Sequence, residues 1–413
     1  MQRSLVGSEM CIRDRMNILI FEYKNFGTED IKECFEKNGH KYVVVETNLY
    51  RDRISPEFDK IFDDKFGQGV DNEPFDCVFT FNFSPVISNN CKKRNVPYIA
   101  FVYDSPQVLL YSYTIINPCN YVFIFDKTQY TELKMAGINT VYYAPLAVNA
   151  DRMKRMLDKT GCSHNNDRFK GDIAFVGSMY NEKYNLFDRL EGINDFTKGY
   201  LDAIMKAQRK VYGYFFLEQL LSGEVLKDMI KNYPVEPSKD GVETVSYLYA
   251  DYFLARKMAS DERMDIMKLL GKELGEQHRI NLYTPNPTPG LAGVNNCGPI
   301  DYYDDMPYVF RNSKINLNIT LRSIKSGIPL RGMDIMGAGG FLMSNYQEDF
   351  FDFFVPGEDM VLYESEEDLI CKCRYYLDHD DEREAIARSG SEKIAEHHTY
   401  DVRFNEIFNI VFN

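Results

Sequence analysis

The sequence predicts an α/β protein built from two doubly wound, Rossmann-like domains. Short apolar, strand-like runs alternate with helical patterns along most of the 413 residues. Most of these runs are continuously apolar, as expected for strands buried on both faces of a parallel sheet. The alternation stops at a polar segment, residues 158–172, and then restarts. A chain of this length also exceeds the usual size of a single core.

The first cycle, residues 16–150, contains six strand candidates, and we expect it to form an N-terminal Rossmann-like domain. The strand candidates are the runs at 17–23, 42–47, 76–82, 98–104, 121–126 and 140–145. After the first of them, Thr28 is an N-cap candidate and Gly39 a C-cap candidate for a helix. Residues 151–171 are predicted to be a linker.

The second cycle, residues 172–395, has the same alternation. Its strand candidates are the runs at 172–178, 280–284, 314–320, 341–345 and 360–363. A helical insert is predicted over residues 184–275, and its many aromatic residues favour core packing over a functional surface. Residues 396–413 have an amphipathic helical pattern, and we expect this C-terminal helix to cross back over the domains.

Residues 1–15, "MQRSLVGSEMCIRDR", lack the apolar core of a signal peptide. They resemble a translated adapter sequence, so we expect a non-native leader and take Met16 as the true start. Elsewhere, no run reaches the ~18 apolar residues that a membrane span needs.

Composition excludes several functions. Lys and Arg number 48 against 62 Asp and Glu, a net charge of −14, which disfavours nucleic acid and anionic lipid as partners. Nine cysteines without a Cys-x-x-Cys pair, with only six histidines, argue against a structural zinc site. Scattered cysteines of this kind are typical of reduced thiols in the cytoplasm.

The segment "RGMDIMGAGGFLMSN", residues 331–345, has the glycine content of a phosphate-binding loop but not its order. In a dinucleotide fold the glycine loop follows a strand and opens a helix. Here Pro329 suits a first helical turn, and the glycines at 337–340 come before an apolar run. These glycines are therefore predicted to end a helix and turn the chain into a strand.

Two polar residues of the same helix are better candidates for ligand binding. Arg331 and Asp334 are three residues apart, so they share a helix face that leans toward the preceding loop "RSIKSGIP". An Asp there can accept hydrogen bonds from a ribose diol, and the Arg and the backbone amides of that loop can neutralise phosphates. The alternative is a solvated surface ion pair, and the spacing leaves the two interpretations even.

Other candidates follow strands at the edge where α/β sheets bind ligands. Asp104 ends the fourth strand candidate and is a candidate general base or sugar-hydroxyl ligand, although it can equally cap the following turn. Asn25 and Gly27 lie at the same rim. In the second cycle Gly177 and Ser178 end the first strand and Lys183 follows it, so that a hydroxyl and a cation can meet a phosphate there.

Several segments together resemble a known family. "FDCVFTFNFSPVIS", "VPYIAFVYDSP" and "NYVFIFDKTQYTELKMAGINTVYYAPLAVN" resemble the uncharacterised N-terminal domain paired with spore-maturation-type (CgeB-like) glycosyltransferases. "GDIAFVGSMYNEKYN", residues 304–390 and "HHTYDVRF" are similar to the glycosyltransferase domain of that group. The resemblance covers about residues 16–413 and is most specific over 306–345.

The resemblance implies a GT-B architecture, in which two Rossmann-like domains face a cleft. A nucleotide sugar would bind mainly to the second domain, and residues 16–150 would form the domain on the acceptor side. "SGIPLRGMD" loosely matches the motif that supplies an acidic residue to the ribose, which implies that role for Asp334 and places Gly327 at the phosphates. Many retaining members carry a further Glu near the transferred sugar. Ser326 occupies that place here, which puts retaining stereochemistry and efficient catalysis in question.

The phosphate clamp of the family, Gly-Arg followed by Lys, corresponds to Gly177, Ser178 and Lys183, so its Arg is absent. Arg322 or Arg331 would take its place.

The sequence thus predicts a cytoplasmic, metal-independent glycosyltransferase of the hexosyltransferase kind. Its donor would be a nucleoside-diphosphate sugar, with no further cofactor, and its acceptor a hydroxyl of a protein or of a cell-envelope glycan precursor. Two alternatives stay open. One is a catalytically degenerate protein that binds nucleotide sugar or glycan, and the other is a scaffold that binds partners through the helical insert.

Overall fold

The computed structural model describes residues 15–23, 27–49, 52–159, 168–182 and 185–413. Two predicted site residues, Asn25 and Lys183, lie outside the described residues, as does the predicted leader except for Arg15. In the described part of the chain, no helix is long and apolar enough to cross a membrane.

Two parallel sheets of six strands each form the framework, which confirms the predicted fold class. The first has the order β2-β1-β3-β4-β5-β6 and the second β12-β11-β10-β7-β8-β9. The strands are β1 Asn17–Glu22, β2 Lys41–Glu46, β3 Cys77–Phe81, β4 Tyr98–Val102, β5 Asn120–Ile124, β6 Val141–Tyr143, β7 Gly171–Val176, β8 Ile280–Tyr283, β9 Asn295–Asn296, β10 Ser313–Asn318, β11 Leu342–Asn345 and β12 Val361–Tyr363. Parallel order requires crossovers, and most pass through a helix.

The helices of the first half surround the first sheet. They are α1 Thr28–Lys37, α2 Pro56–Gln68, α3 Pro85–Arg94, α4 Lys127–Met135 and α5 Ala150–Lys159. Ser55, Ser84 and Asp126 cap the N-termini of α2, α3 and α4 by accepting backbone N–H bonds. Most of α5 lies in the segment predicted to be a linker.

The second half contains the helical insert between β7 and β8, as predicted. Its helices are α6 Asp195–Arg209, α7 Leu217–Leu220, α8 Gly223–Asn232, α9 Val245–Leu248, a π-helical stretch Tyr249–Leu254, and α10 Ala255–Leu274. The remaining helices are α11 Met306–Asn312, α12 Leu330–Gly337, α13 Phe350–Phe353, α14 Glu366–Asp378, α15 Asp380–His397 and α16 Tyr400–Phe412. The insert has an apolar core of its own, built largely from its aromatic and aliphatic residues.

The glycines of "GAGG" end α12 and turn the chain into β11, as predicted. Gly339 has a φ of +73°, a conformation that side chains rarely adopt. At Gly340 an added Cβ would lie 2.8 Å from the carbonyl oxygen of Phe310. Backbone geometry and close packing therefore explain these glycines, and no ligand is needed to do so.

The C-terminal helix α16 crosses back onto the first half, as predicted. The ring of Phe404 lies 4.7 Å from that of Phe35 in α1 and 5.5 Å from that of Phe79 in β3. The backbone N–H of Val148 donates to the carbonyl of His398, 3.0 Å away. Hydrophobic burial across these contacts joins the two halves of the chain.

Candidate active site

A cleft of about 610 Å³ lies between the two halves. Its first wall is formed by the segments that follow β1, β3 and β4, including Asn82 and Asp104. Its second wall includes Tyr180 after β7, Arg256 in α10 and Arg331 in α12. Several of these residues follow the carboxyl ends of parallel strands, where α/β sheets bind their ligands.

Asp104 is held in place by Asn82, which the sequence analysis did not single out. The Asn82 side chain donates to Asp104 Oδ2 at 2.9 Å and accepts the backbone N–H groups of Tyr103 and Asp104 at 2.9 and 3.0 Å. Asn82 itself has a φ of +63°, which Asn tolerates better than most residues. The loop after β4 is therefore fixed by the side chain of the residue that directly follows β3.

The carboxyl group of Asp104 is open to the cleft and its pKa is raised. Desolvation by the surrounding walls raises the pKa above the usual 3.8, while the Asn82 hydrogen bond and the Arg256 charge oppose the rise. A carboxylate with a raised pKa in a cleft is suited to accept a proton from a substrate hydroxyl.

Two guanidinium groups face the same cleft from the second half. Arg256 makes no hydrogen bond or ion pair with the residues that the structure describes, although its charge influences Asp104. Arg331 donates to Asp334 Oδ2 at 3.2 Å and keeps 27% of its side chain exposed. Together they provide positive charge on the wall opposite Asp104.

Asp334 lies beneath the cleft surface, not on it. It is 1% exposed, and its Oδ1 accepts from the Tyr302 hydroxyl at 2.9 Å while Oδ2 accepts from Arg331. Burial raises its pKa to about 6, against the opposing effects of Arg331 and Tyr302. The predicted contact with a ribose thus requires that Tyr302 or Arg331 give up its hydrogen bond.

Gly177 and Ser178 follow β7 as predicted, and an unpredicted arginine lies beside them. Arg263 in α10 donates to the carbonyl of Ser178 at 2.5 Å and to that of Ile319 at 2.6 Å. Its guanidinium carbon lies 4.6 Å from the centre of the Tyr180 ring. Arg263 therefore ties together the carboxyl ends of β7 and β10.

The hydroxyl of Ser178 is engaged within the protein. Its single proton can be donated to Glu182 Oε1 at 2.9 Å or to Asn286 Oδ1 at 3.1 Å, and its oxygen accepts the N–H of Tyr180 at 2.9 Å. These contacts shape the loop after β7. The contact of the Ser178 hydroxyl with a phosphate stays a prediction.

The loop predicted to hold phosphates contacts the first half of the chain. The carboxylate of Asp126, which also caps α4, accepts the N–H of Lys325 at 2.6 Å, the N–H of Ser326 at 3.3 Å and the hydroxyl of Ser326 at 3.1 Å. A Cβ added to Gly327 would lie 2.7 Å from the Phe125 ring. An internal carboxylate thus occupies donors that the sequence analysis assigned to an anionic ligand.

Arg322 lies in a buried ion pair away from the cleft lining. It donates to both oxygens of Glu262, at 2.5 and 3.3 Å, and stacks 3.7 Å from the centre of the Tyr212 ring. Its side chain connects the loop after β10 to the helical insert. The structure does not bring it together with Arg331, the other predicted substitute for the missing clamp residue.

Gly27, at the start of α1, contacts the second half of the chain. Its N–H donates to the hydroxyl of Tyr303 at 2.9 Å, and an added Cβ would lie 2.9 Å from the hydroxyl of Tyr400. Next to it, Arg152 donates to Asp30 at 2.6 Å and lies 4.9 Å from the centre of the Tyr303 ring. Gly27 is therefore an interdomain contact at one end of the interface.

The helical insert closes one side of the cleft. The hydroxyl of Tyr252 accepts the N–H of Val108 at 2.8 Å and donates to the carbonyl of Pro106 at 3.2 Å. Farther along, Arg53 donates to Glu243 at 2.7 Å and to the carbonyl of Asp240 at 3.1 Å. Part of the insert thus binds the first half of the same chain.

A second cavity, of about 920 Å³, lies at the opposite edge of the second sheet. It is lined by the starts of β7 and β10, Gly171 and Ser313, and by α15. Because ligands of open α/β sheets bind at the carboxyl edge, the cleft is the better candidate site. Within the described residues, no group of three or more His, Cys, Asp or Glu side chains is arranged to hold a metal ion.

The structure adds Asn82, Arg256, Arg263 and Tyr302 to the predicted set. None of them belongs to a local motif, since each gains its place from chain segments far away in sequence. The sequence did not predict that a cation would face the Asp104 carboxylate. That cation, Arg256, belongs to the helical insert, and the aromatic pattern of the insert indicated only core packing.

Part of the chain matches a known family. Residues 263–409 match the family described as "Glycosyl transferase-like". The match runs from within α10 to within α16 and includes α12 with Arg331 and Asp334. The first sheet lies outside it. Among curated proteins, none matches the sequence.

Solved structures with the same two-domain GT-B fold resemble the whole chain. Sucrose-phosphate synthase from Thermosynechococcus elongatus is 9% identical with a TM-score of 0.52, over 97% of this chain and 99% of that chain. A UDP-forming α,α-trehalose-phosphate synthase from Burkholderia xenovorans is 11% identical with a TM-score of 0.51, over 97% and 100%. The N-terminal domain of a trehalose-6-phosphate phosphatase from Candida albicans is 9% identical with a TM-score of 0.50, over 98% of both chains. At such identities the similarity concerns the fold alone.

Proposed function

We propose that this protein is a glycosyltransferase of the spore-maturation type, which moves a sugar from a nucleoside-diphosphate sugar to a hydroxyl acceptor in the cleft. The observation that carries the proposal is the charge arrangement across the cleft, with Asp104 on one wall and Arg256 and Arg331 on the other. The family match over residues 263–409 and the GT-B fold support it.

In the proposed reaction, Asp104 accepts the proton of the acceptor hydroxyl while the acceptor oxygen bonds to the anomeric carbon of the sugar. The bond from that carbon to the diphosphate breaks, and the leaving diphosphate gains negative charge. Arg256 and Arg331 stabilise this charge in a site partly shielded from water, where such contacts are strongest. Neither role requires a metal ion.

We keep Asp334 as the ribose ligand in the proposal. Its position three residues after Arg331 puts it directly under the wall that would bind the diphosphate, and its Tyr302 hydroxyl contact is a single hydrogen bond that a sugar hydroxyl can replace. Gly177 and Ser178 would line the phosphate end of the site, next to Arg263. The seven described cysteines are free thiols, which supports the expected cytoplasmic location.

A second candidate function has an observation in its favour. The carboxylate of Asp126 already occupies the amides of Lys325 and Ser326, which the sequence analysis assigned to the donor phosphates. A protein with its phosphate loop closed in this way could bind a nucleotide sugar weakly and not turn it over. This is the catalytically degenerate alternative. The scaffold alternative is less well supported, because part of the insert already contacts its own chain.

Binding is tested by thermal-shift titration with UDP-, GDP- and dTDP-sugars at up to millimolar concentration. We expect one nucleotide class to stabilise the protein, and Arg256→Gln to weaken its binding about 10- to 100-fold through loss of a charged contact. Arg388→Gln, at the opposite edge of the second sheet, is the matched control and should change nothing. No stabilisation by any of the donors would count against both functions. Binding without release of nucleoside diphosphate, with cell glycans as acceptor, would favour the degenerate protein.

A further inference from the structure

A third cavity, of about 310 Å³, lies between the helical insert, the first half of the chain and the loop after β10. The first half contributes Tyr111, Gln129 and Glu132, and the insert contributes Glu218 and Asp251. The loop after β10 contributes Ser323 and Lys325. Its volume is near the lower end of the range for small-molecule sites. We call it the insert pocket.

The insert pocket contains buried polar atoms without partners. Gln129 and Ser323 are 6% and 3% exposed, and neither Gln129 Oε1 nor Ser323 Oγ has a hydrogen-bond partner in the described part of the chain. Leaving such atoms unsatisfied is unfavourable, and native proteins leave few of them. Both residues line the pocket, and a ligand that reaches these two atoms would supply the missing bonds.

The pocket has an excess of negative charge. Lys325 is already paired with Glu132, its Nζ lying 2.5 and 2.7 Å from the two carboxylate oxygens. Among the described residues, the carboxylate of Glu218 accepts the hydroxyl of Thr244, at 2.8 Å, and pairs with no cation. Asp251 is 4% exposed, and its carboxyl group makes no hydrogen bond or ion pair within the same part of the chain.

Asp251 lies in the π-helical stretch Tyr249–Leu254, which interrupts the run from α9 into α10. Single π-helical turns of this kind occur often at functional sites. Burial raises the pKa of Asp251 well above 3.8; the Lys325 charge opposes the rise, and the Glu218 and Glu132 charges add to it. Lys325, the cation of the pocket that favours the Asp251 carboxylate, is already paired with Glu132, so its charge is shared between the two carboxylates.

The chemistry of these groups selects the ligand. Gln129 Oε1 and the carboxylates of Glu218 and Asp251 are acceptors, so the ligand must donate hydrogen bonds. The negative charge of the pocket favours a cationic ligand. Among the described residues, no group of three or more His, Cys, Asp or Glu side chains is arranged to hold a metal ion. The rings of Tyr111, Tyr214, Phe215 and Tyr247 line the rest of the pocket and suit an organic cation, because aromatic faces attract ammonium groups.

We propose that the insert pocket binds the ammonium group of a small hydroxylated amine, such as an amino sugar. The ammonium group lies between Asp251 and Glu218, and Gln129 and Ser323 accept hydrogen bonds from the ligand. Ser105 and Pro106 line both this pocket and the cleft, so the ligand lies next to the cleft. The proposal does not depend on what binds in the cleft, so either can fail without the other.

The test is isothermal titration of the full chain with glucosamine and, as the neutral isostere, glucose, with no nucleotide present. We expect glucosamine to bind at least about tenfold more tightly than glucose. Glu218→Gln and Asp251→Asn should each weaken glucosamine binding about tenfold or more. Glu224→Gln, an exposed carboxylate of α8 paired with Lys227, is the matched control and should leave binding unchanged.

Three results would overturn the proposal. Glucose that binds as tightly as glucosamine would show a site for neutral sugars. If no binding is detected with glucosamine at about 10 mM, the pocket does not bind this cation with a useful affinity. If Glu218→Gln and Glu224→Gln weakened glucosamine binding equally, the binding would reflect the long-range negative charge of the protein and not a specific site. Should Asp251→Asn fail to fold, Glu218→Gln and Ser323→Ala still decide, since both residues lie at the pocket wall.

Discussion

Replacement of Asp334 by Asn should stabilise the protein at neutral pH. The carboxyl group is buried, and its pKa is raised from the usual 3.8 to about 6. The folded state therefore favours the protonated form. The stability that this group contributes is fully present below about pH 3.8 and is lost as the pH rises through about 6. Each pH unit corresponds to about 1.4 kcal/mol, so ionisation at pH 7 costs up to about 3 kcal/mol.

Asn keeps an oxygen to accept from Tyr302 but carries no charge to desolvate. We therefore expect the difference in free energy of unfolding, Asp334→Asn minus wild type, to be small at pH 4 and to grow toward about 3 kcal/mol by pH 7 to 8. Urea denaturation of both proteins at pH 4, 5, 6, 7 and 8 measures it. A difference that stays constant, or that shrinks with rising pH, would show that ionisation of Asp334 does not destabilise the folded protein.

Asp359 provides a control of opposite sign. Its pKa is lowered because Lys393, Ser389 and the N–H of Val355 hold its carboxylate, which outweighs its desolvation. Its contribution to stability is present above about pH 3.8 and is lost as the pH falls through the lowered pKa. Asp359→Asn should thus destabilise the protein at neutral pH, and the loss should shrink as the pH falls.

The same Asp334 variant tests the proposed ribose contact. If the carboxylate holds the ribose diol, Asp334→Asn should weaken donor binding about 10- to 100-fold while stabilising the free protein. Tyr302→Phe should strengthen donor binding, since the Tyr302 hydroxyl competes for the same oxygen. Donor affinity unchanged in Asp334→Asn would remove Asp334 from the site.

Three further variants test other parts of the account. Asp104→Asn should lower sugar transfer about 10²- to 10⁴-fold, as expected for a lost general base, with donor affinity retained in titrations. In the wild type the raised pKa of Asp104 means that the ascending limb of the rate against pH lies above the usual titration range of Asp. Gly327→Ala places a Cβ 2.7 Å from Phe125 and should destabilise the protein by about 1–3 kcal/mol in urea melts. Arg322→Ala leaves Glu262 buried without its cation and should cost about 3–5 kcal/mol, with Arg388→Ala as the exposed comparison.

The sequence predicted the framework because the signals for it are local. All eleven predicted strands exist, because each was a mainly apolar run and most of them are buried in a parallel sheet, although the edge strand β2 is only partly buried. The strand that was missed, β9, consists of two exposed asparagines and carries no apolar signal. The glycine turn after α12 was predictable from the order of Pro329, the helix and the glycines alone.

The candidate site was predictable only in part, because its geometry depends on contacts between distant segments. Asp334 is covered by Tyr302, which lies 32 residues away in sequence. The amides of Lys325 and Ser326 donate to Asp126, which lies about 200 positions away. No pattern near either residue encodes such a contact, so sequence analysis could nominate these groups but not say what they contact.

Hydrogen-exchange mass spectrometry of the protein, with and without a saturating nucleotide sugar, tests directly whether the nucleotide sugar binds in the cleft between the two halves. We predict slower exchange in peptides that cover residues 103–109, 177–182 and 330–334, which border the cleft, and no change in peptides that cover 311–314 and 383–392 at the opposite cavity. Protection at the opposite cavity with none at the cleft would contradict the account, as would the absence of protection anywhere under conditions where binding is detected.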